Sequence, residues 1–566
     1  MPQPVRRDDR DGFPVIPGNV EIFCEVIQRA EWQHAKRHRL SGQDRCDRTD
    51  GAVATTRDNR VGAIRERLAR GGTDVERTAR FANVGVEACL PAQRLDLLAE
   101  SRAPHLPAGR VQDDRDHVGY YRKVSATLPP GPKGSVLFGS LAEARRDPLA
   151  FVQRLGAEYG DVVHVRLATL RVFLLNHPDD IEQVLVTCQH RFAKGKSLGR
   201  ARRLFGNGVL TSDGALHSRQ RRLIQPAFQK PQLSAYADVM IALALDARDR
   251  LNHGDDLDIA GEMSQVTLAI AGKTLLGRDI GRLAGETLEA ASGLLEVALL
   301  PLAPMMDLLP LPHVRRLRAA RQAIDRMLTG IIEERRRDGR GKADLLSLLL
   351  RAQEAAGSDV MSDEQLRDEL TTMLLAGHET TAYALAWTWY LLARHPEVEA
   401  RLHAEIDAVV GTRQPRADDV QALPYTRMVF AESMRLYPPA WLLGRVAIER
   451  HDVRGYAIPR GSLVVVSPWA VHRNDEYFPE PERFDPDRWC PEVQASRPRF
   501  SYFPFGGGTR GCMGEVFAWM EGVLLVAAFA QRWRFRLLDE SSVPELQPAI
   551  TLKPKHGIRV RVERRI

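Results

Sequence analysis

Residues Phe503 to Gly514 read FPFGGGTRGCMG, and the cysteine at their centre, Cys512, has the surroundings of a metal-bound thiolate. Such a ligand survives only if its negative charge is offset without protonation or oxidation. Gly506, Gly507, Gly508 and Gly511 let the backbone turn tightly beneath a flat cofactor, so that peptide N–H groups can point at the sulfur. Gly514 permits close packing where the helical text EVFAWMEGVLLVAAFAQRW begins, and a helix N-terminus favours a thiolate. Arg510, two residues before the cysteine, is placed to reach a carboxylate on such a cofactor, and Phe505 to keep water from the sulfur.

Phe505, Gly508, Arg510, Cys512 and Gly514 resemble the haem-binding signature of the cytochrome P-450 family of haem-thiolate monooxygenases. The resemblance implies a mainly α fold with a small β subdomain and a long central helix over haem b (iron protoporphyrin IX). It makes Cys512 the axial iron ligand, whose electron donation favours O–O cleavage, and puts Arg510 on a haem propionate.

Working outward, Leu366 to Ala393 carries a nearly continuous apolar helical pattern without proline, long enough to cross a large core. Within it lies AGHETT. Gly377 weakens this helix by up to about 1 kcal/mol, which points to a reason for its presence such as close approach to a flat cofactor or ligand. Glu379 and Thr380 place a carboxylate beside a hydroxyl. In the resembling family this pair, with ordered water, delivers protons to dioxygen so that one oxygen leaves as water. The threonine is also expected to hydrogen-bond back to the previous turn.

FAESMRLYPP sets Glu432 and Arg435 at i, i+3 on one helix face. The family adds a second arginine to form a buried Glu-Arg-Arg network, and two candidates follow: Arg483 in PERF and Arg488 in PDRW. Phe484, two residues before the proline of PDRW, and the distance to Cys512 favour Arg488, with Arg483 as the fallback. DGALHSRQRRL places His217 and Arg221 at i, i+4, where the family more often has a tryptophan and an arginine holding the propionates. Arg445 in WLLGRVA resembles another propionate position. Arg219 and Arg222 are expected to face away from the haem edge, where an acidic electron donor could dock.

The 566 residues are 44% hydrophobic, enough for one large core. Six cysteines without metal-type spacing argue against a disulfide framework and for a reducing, cytoplasmic compartment. The net charge of +7 is spread among acidic residues, so nucleic-acid binding is not indicated. No apolar run reaches the length of a transmembrane anchor. Leu294 to Val314, apolar but broken by four prolines, reads as an irregular core connection or, favoured by the resemblance, as the family's lid over the substrate channel.

Composition changes near residue 124. Residues 1–120 hold 19 Arg and one Lys with no sustained helical period, so residues 1–124 read as a disordered extension or a mis-assigned start, with Val124 the candidate alternative. His34 and His38 in this stretch lack a third ligand and read as solvated. The catalytic domain is expected over 125–566, with HVRLATLRVFLL as a strand pair near its start.

The resemblance implies insertion of one oxygen atom from O2 into a small apolar organic substrate, with electrons from a ferredoxin or flavodoxin and its reductase, since little text follows the strand KHGIRVRVERR. Ala376, Leu442, Leu443 and Ile550 are pocket candidates that would suit fatty acids, terpenoids or polyketides. A peroxide-driven peroxygenase and a haem-based gas or redox sensor are the alternatives. The first is disfavoured by the intact Glu379 and Thr380, the second by the lack of a recognisable signalling or DNA-binding domain.

Overall fold

The computed structural model describes residues 128–565, apart from 282–284, 286, 289–292, 294–311, 340–342 and 356–360. His34, His38 and most of the Leu294–Val314 stretch therefore lie outside the described residues. Seven helices frame the site: α1 (Gly214–Ile224), α2 (Lys230–Arg250), α3 (Ile259–Leu276), α4 (Pro312–Asp338), α5 (Asp363–Arg394), α6 (Pro424–Leu436) and α7 (Glu515–Ala530).

The long helix α5 forms because nothing interrupts it. Ser362 caps it by accepting the Gln365 N–H at 3.1 Å, Asp363 and Glu364 sit in its first turn, and it stops just before Pro396. Its 32 residues span about 48 Å, so one helix crosses the whole core. It packs along α3, where Thr267 Oγ1 donates to the His378 carbonyl at 3.1 Å. Helix α7 is apolar on every side and has eleven buried residues, the signature of a helix enclosed by others. It packs against α2, with Phe517 edge-on to Tyr236 at 5.8 Å.

The β content is small and divided among separate sheets. The expected strand pair is β1 (Val162–Leu167) and β2 (Leu170–Leu175), antiparallel with Val162 opposite Leu175. The short β3 (Phe192–Ala193) and the distant β5 (Leu443–Ala447) and β8 (Leu463–Val466) join them in the order β1-β2-β8-β5-β3. Only β2 and β8 run parallel. A second sheet sets β12 (Arg559–Arg564) between β4 (Asp256–Asp258) and β9 (Trp533–Leu537). Two further pairs complete the strands, β6 (His451–Val453) with β7 (Tyr456–Ile458) and β10 (Leu546–Pro548) with β11 (Leu552–Pro554). The first sheet positions chemistry: β3 delivers Lys194 and β5 delivers Arg445 to the same place. Among the described residues no helix is long and apolar enough to cross a membrane.

Candidate active site

The cysteine loop is closed by a backbone bond, the Cys512 N–H donating to the Phe505 carbonyl at 2.9 Å. Gly506 and Gly508 sit at φ +69 and +67, where a side chain is strained. At Gly508 a Cβ would also lie 2.1 Å from the Leu185 carbonyl oxygen. Gly507 differs from expectation: its backbone is extended, and glycine is needed there because a Cβ would lie 2.8 Å from the Phe500 ring. The Gly514 N–H lies on the side of the sulfur where it favours the thiolate. Burial nevertheless pushes the Cys512 thiol up to about 11, with the Gly514 N–H and Arg221 pulling it down. Although its sulfur lies deep among protein atoms, Cys512 keeps accessible surface. It opens on a pocket of about 350 Å³ whose lining includes Arg221, Phe505, Gly506 and Trp519. Phe505 leans on Trp519, ring centres 5.8 Å apart, beside this pocket.

A second cluster gathers cations. Arg510 donates to Asp213 at 2.7 Å and to the Gln189 and Phe192 carbonyls at 3.1 and 2.8 Å. Asp213 also accepts the N–H of Gly214 at the start of α1 and the N–H of Lys194 at 2.5 Å. Burial lowers Lys194 to about 7, aided by Arg510 and Arg445 against the pull of Asp213. Burial likewise lowers Arg445 to about 10 and His217 to about 4. Four basic side chains, Lys194, His217, Arg445 and Arg510, thus gather around Asp213 in a poorly solvated place. Arg221, one turn beyond His217, departs from this group: its guanidinium donates to the Gly511 carbonyl at 2.7 Å, in the cysteine loop. Arg219, half-buried, donates to Gln365 of α5 at 2.8 Å, while Arg222 is exposed.

The Glu432 carboxylate is fully enclosed and doubly bound by Arg435, whose Nε and Nη2 each donate at 2.8 Å. Arg488 Nε lies 3.4 Å from the same carboxylate and Trp489 Nε1 donates to it at 3.0 Å. The structure thus brings Arg488, and not Arg483, into the network: the Arg483 side chain is exposed and pairs with Glu480, and only its carbonyl meets Arg435.

In α5, Thr380 Oγ1 donates to the Ala376 carbonyl at 2.8 Å, the back-bond expected from sequence. Glu379 is half-buried on the same helix. Ala376 keeps surface in mid-helix between buried Leu375 and His378. At Gly377 a Cβ would meet nothing nearer than Leu275 at 3.9 Å, so the protein itself does not require glycine there. Leu442, Leu443 and Ile550 also retain surface, Ile550 at 37%.

The cytochrome P450 family model matches residues 129–560. The chain belongs to the cytochrome P450 family. It is 38% identical to cyclooctatin synthase of Streptomyces melanosporofaciens, covering 76% of this chain and 94% of that protein. Against cyclooctat-9-en-7-ol 5-monooxygenase of the same organism it is 40% identical, covering 72% and 90%. Pentalenene oxygenase of Streptomyces avermitilis is 33% identical over 78% of this chain and 98% of that one. Among solved structures, a cyanobacterial CYP120A1 with retinoic acid bound superposes with a TM-score of 0.71 at 25% identity, covering 78% of this chain and all of the other. As a cytochrome P450 the protein is a haem-thiolate monooxygenase that works with O2, an organic substrate and a redox partner.

The residues present fit haem b. A thiol that burial keeps protonated becomes a stable thiolate only beside a strong cation, which haem iron provides. The cluster around Lys194, Arg445 and Arg510 has cations to spare for two propionate carboxylates. Lys194, Asp213, Gln189 and Trp489 escape the sequence reading. Asp213, just before α1, carries a helix-start signal that could have drawn notice; Lys194 and Gln189 carry no local signature.

Proposed function

We propose that this cytochrome P450 oxygenates a cyclic terpenoid hydrocarbon or alcohol. The observation that carries this reading is the naming of its relatives for pentalenene and cyclooctat-9-en-7-ol, and the apolar character of Ala376, Leu442, Leu443 and Ile550 agrees with it. A ferredoxin or flavodoxin with its reductase supplies electrons, in the cytoplasm, to a catalytic domain formed by residues 125–566. The scattered cysteines support the compartment.

When bound, haem supplies the activation of O2 and the transfer of one oxygen atom to carbon. The chain does the rest. Cys512 would supply the thiolate that holds the haem iron, its loop closed by the bond of its N–H to the Phe505 carbonyl. Arg510, Arg445, His217 and Lys194 hold the propionate edge, and Arg221 braces the cysteine loop through Gly511. Phe505 keeps water from the sulfur. Thr380 passes a proton from its Oγ1, releasing its bond to the Ala376 carbonyl as it does so. Glu379 resupplies that proton from the solvent side. The enclosed Glu432, Arg435 and Arg488 fix the segment that leads to the cysteine loop.

The test is a panel of cyclic terpenoid hydrocarbons and alcohols, fatty acids and macrolides added to the purified holoprotein. The reading expects the haem absorption band to shift with the terpenoids at the lowest concentrations. A shift with fatty acids alone would replace it.

A further inference from the structure

Glu369 lies on α5, seven residues before Ala376, and is fully buried. Its Oε2 accepts the Val209 N–H at 2.8 Å, while Oε1 has no hydrogen-bond partner among the described residues. The carbonyl of the same Val209 accepts Lys194 Nζ at 2.6 Å. One residue therefore joins a buried acid to the ammonium at the propionate edge. Its neighbour Asp368 binds the same segment two residues before Val209, accepting the Asn207 N–H at 2.6 Å, and is itself paired with Arg321 of α4.

We infer that Glu369 is a positioning residue for the propionate end of the haem: through Val209 it holds Lys194 in place, and by taking up or releasing a proton it sets how readily that ammonium keeps its charge. The inference rests on the proposed propionate role of Lys194.

The electrostatics agree in direction. Burial and Asp368 raise Glu369 to about 8, against the Val209 N–H and Lys194. Burial, Arg510 and Arg445 lower Lys194 to about 7, against Asp213 and Glu369. Among the described residues the titratable and charged groups around the pair also include His217, beside Lys194, and Arg321, paired with Asp368. Each of the two favours the charged form of the other, so an ionised Glu369 keeps Lys194 charged to higher pH. Burial alone would be expected to favour an apolar residue at position 369; the carboxyl earns its place through what it does to Lys194.

The experiment follows haem transfer from the full-length holoprotein to excess apomyoglobin between about pH 6 and about pH 9. In the wild type, haem leaves faster as pH rises and Lys194 loses its proton. Glu369→Gln keeps an acceptor for the Val209 N–H but cannot ionise. It is expected to release haem as wild type does at about pH 6 to 7, where Glu369 is protonated, and roughly tenfold faster at about pH 9, where the ionised Glu369 of wild type keeps part of Lys194 charged. In a Lys194→Met background, fast at every pH, Glu369→Gln should change nothing. Lys194→Arg, whose charge persists throughout, should abolish the limb whether residue 369 is Glu or Gln. A Glu369→Gln limb that coincides with wild type, an equal acceleration at every pH, or an effect that persists in the Lys194→Met background overturns the inference. So does a limb that survives in Lys194→Arg. If Lys194→Met itself releases haem like wild type, the propionate role of Lys194 falls and the inference with it.

Discussion

Arg510 Nη2 and Asp213 Oδ1 stand 2.7 Å apart, tying the cysteine loop to the start of the helix that carries His217. The pairing gives one carboxylate three tasks, since Asp213 also accepts the N–H groups of Gly214 and Lys194.

Asp213→Ala should lower holoprotein stability by about 1–3 kcal/mol, from the lost cap and the lost charge-assisted bonds. Burial raises the Asp213 carboxyl, but the hydrogen bonds of Arg510 and Lys194 outweigh it and hold the group below its ordinary 3.8. A carboxyl depressed in the folded state contributes above its unfolded value and loses that contribution as pH falls through the folded one. Urea unfolding should therefore show the wild-type advantage over Asp213→Ala intact at neutral pH and shrinking below about pH 4. An advantage that stayed constant into acid would remove the charge from the account.

Glu432→Ala should cost about 3–5 kcal/mol, because two enclosed arginines would lose their counter-charge. Arg488→Ala should also destabilise, whereas Arg483→Ala should stay within about 0.5 kcal/mol, as expected for an exposed side chain paired only at the surface. Thermal unfolding of the three variants checks the ordering. Equal effects at 483 and 488 would contradict it.

Acid should weaken the fold before the carboxylates titrate. Burial holds His217 and His378 to about 4 and His403 to about 3, so each stays neutral in the folded chain. The unfolded chain binds protons first as pH falls from about 6.5, and stability drops through that window. His403 has neither ring nitrogen hydrogen-bonded. His403→Leu should therefore flatten the slope between about pH 6 and 4, by up to about 1.4 kcal/mol per pH unit where that histidine titrates fully. Chemical denaturation at stepped pH measures it, and an unchanged slope would show that His403 is charged when folded.

Much of this arrangement is legible in the chain because its signals are local. The glycines of FPFGGGTRGCMG, the unbroken apolar run of α5 and the i, i+3 pair of Glu432 and Arg435 each announce their geometry within a few residues. What cannot be read depends on distant segments meeting. Strand β2 finds its parallel partner β8 nearly the whole domain away, and Lys194, Asp213 and Arg510 converge from three separate elements. PERF and PDRW are hard to separate as text; the fold turns Arg483 outward and Arg488 inward. The partner of Arg219 is unreadable for a related reason: helical spacing gives its direction relative to His217, but not that α5 with Gln365 lies there.

Thr380→Ala should leave haem and substrate binding intact while uncoupling turnover, because the hydroxyl proposed to hand on the proton is gone. With a surrogate ferredoxin and reductase, product formed per NAD(P)H consumed should fall and hydrogen peroxide rise. A variant as tightly coupled as wild type would take the relay away from this residue.

The central claim is that the Cys512 sulfur is the haem ligand, and the spectrum of the reduced protein under carbon monoxide tests it most directly. Wild type should give the strongly red-shifted band of a thiolate-ligated haem, and Cys512→Ser should bind haem yet lose that band together with oxygenation, since a neutral or weakly donating ligand cannot supply the same electron density. Retention of the thiolate-type band in Cys512→Ser would contradict the account.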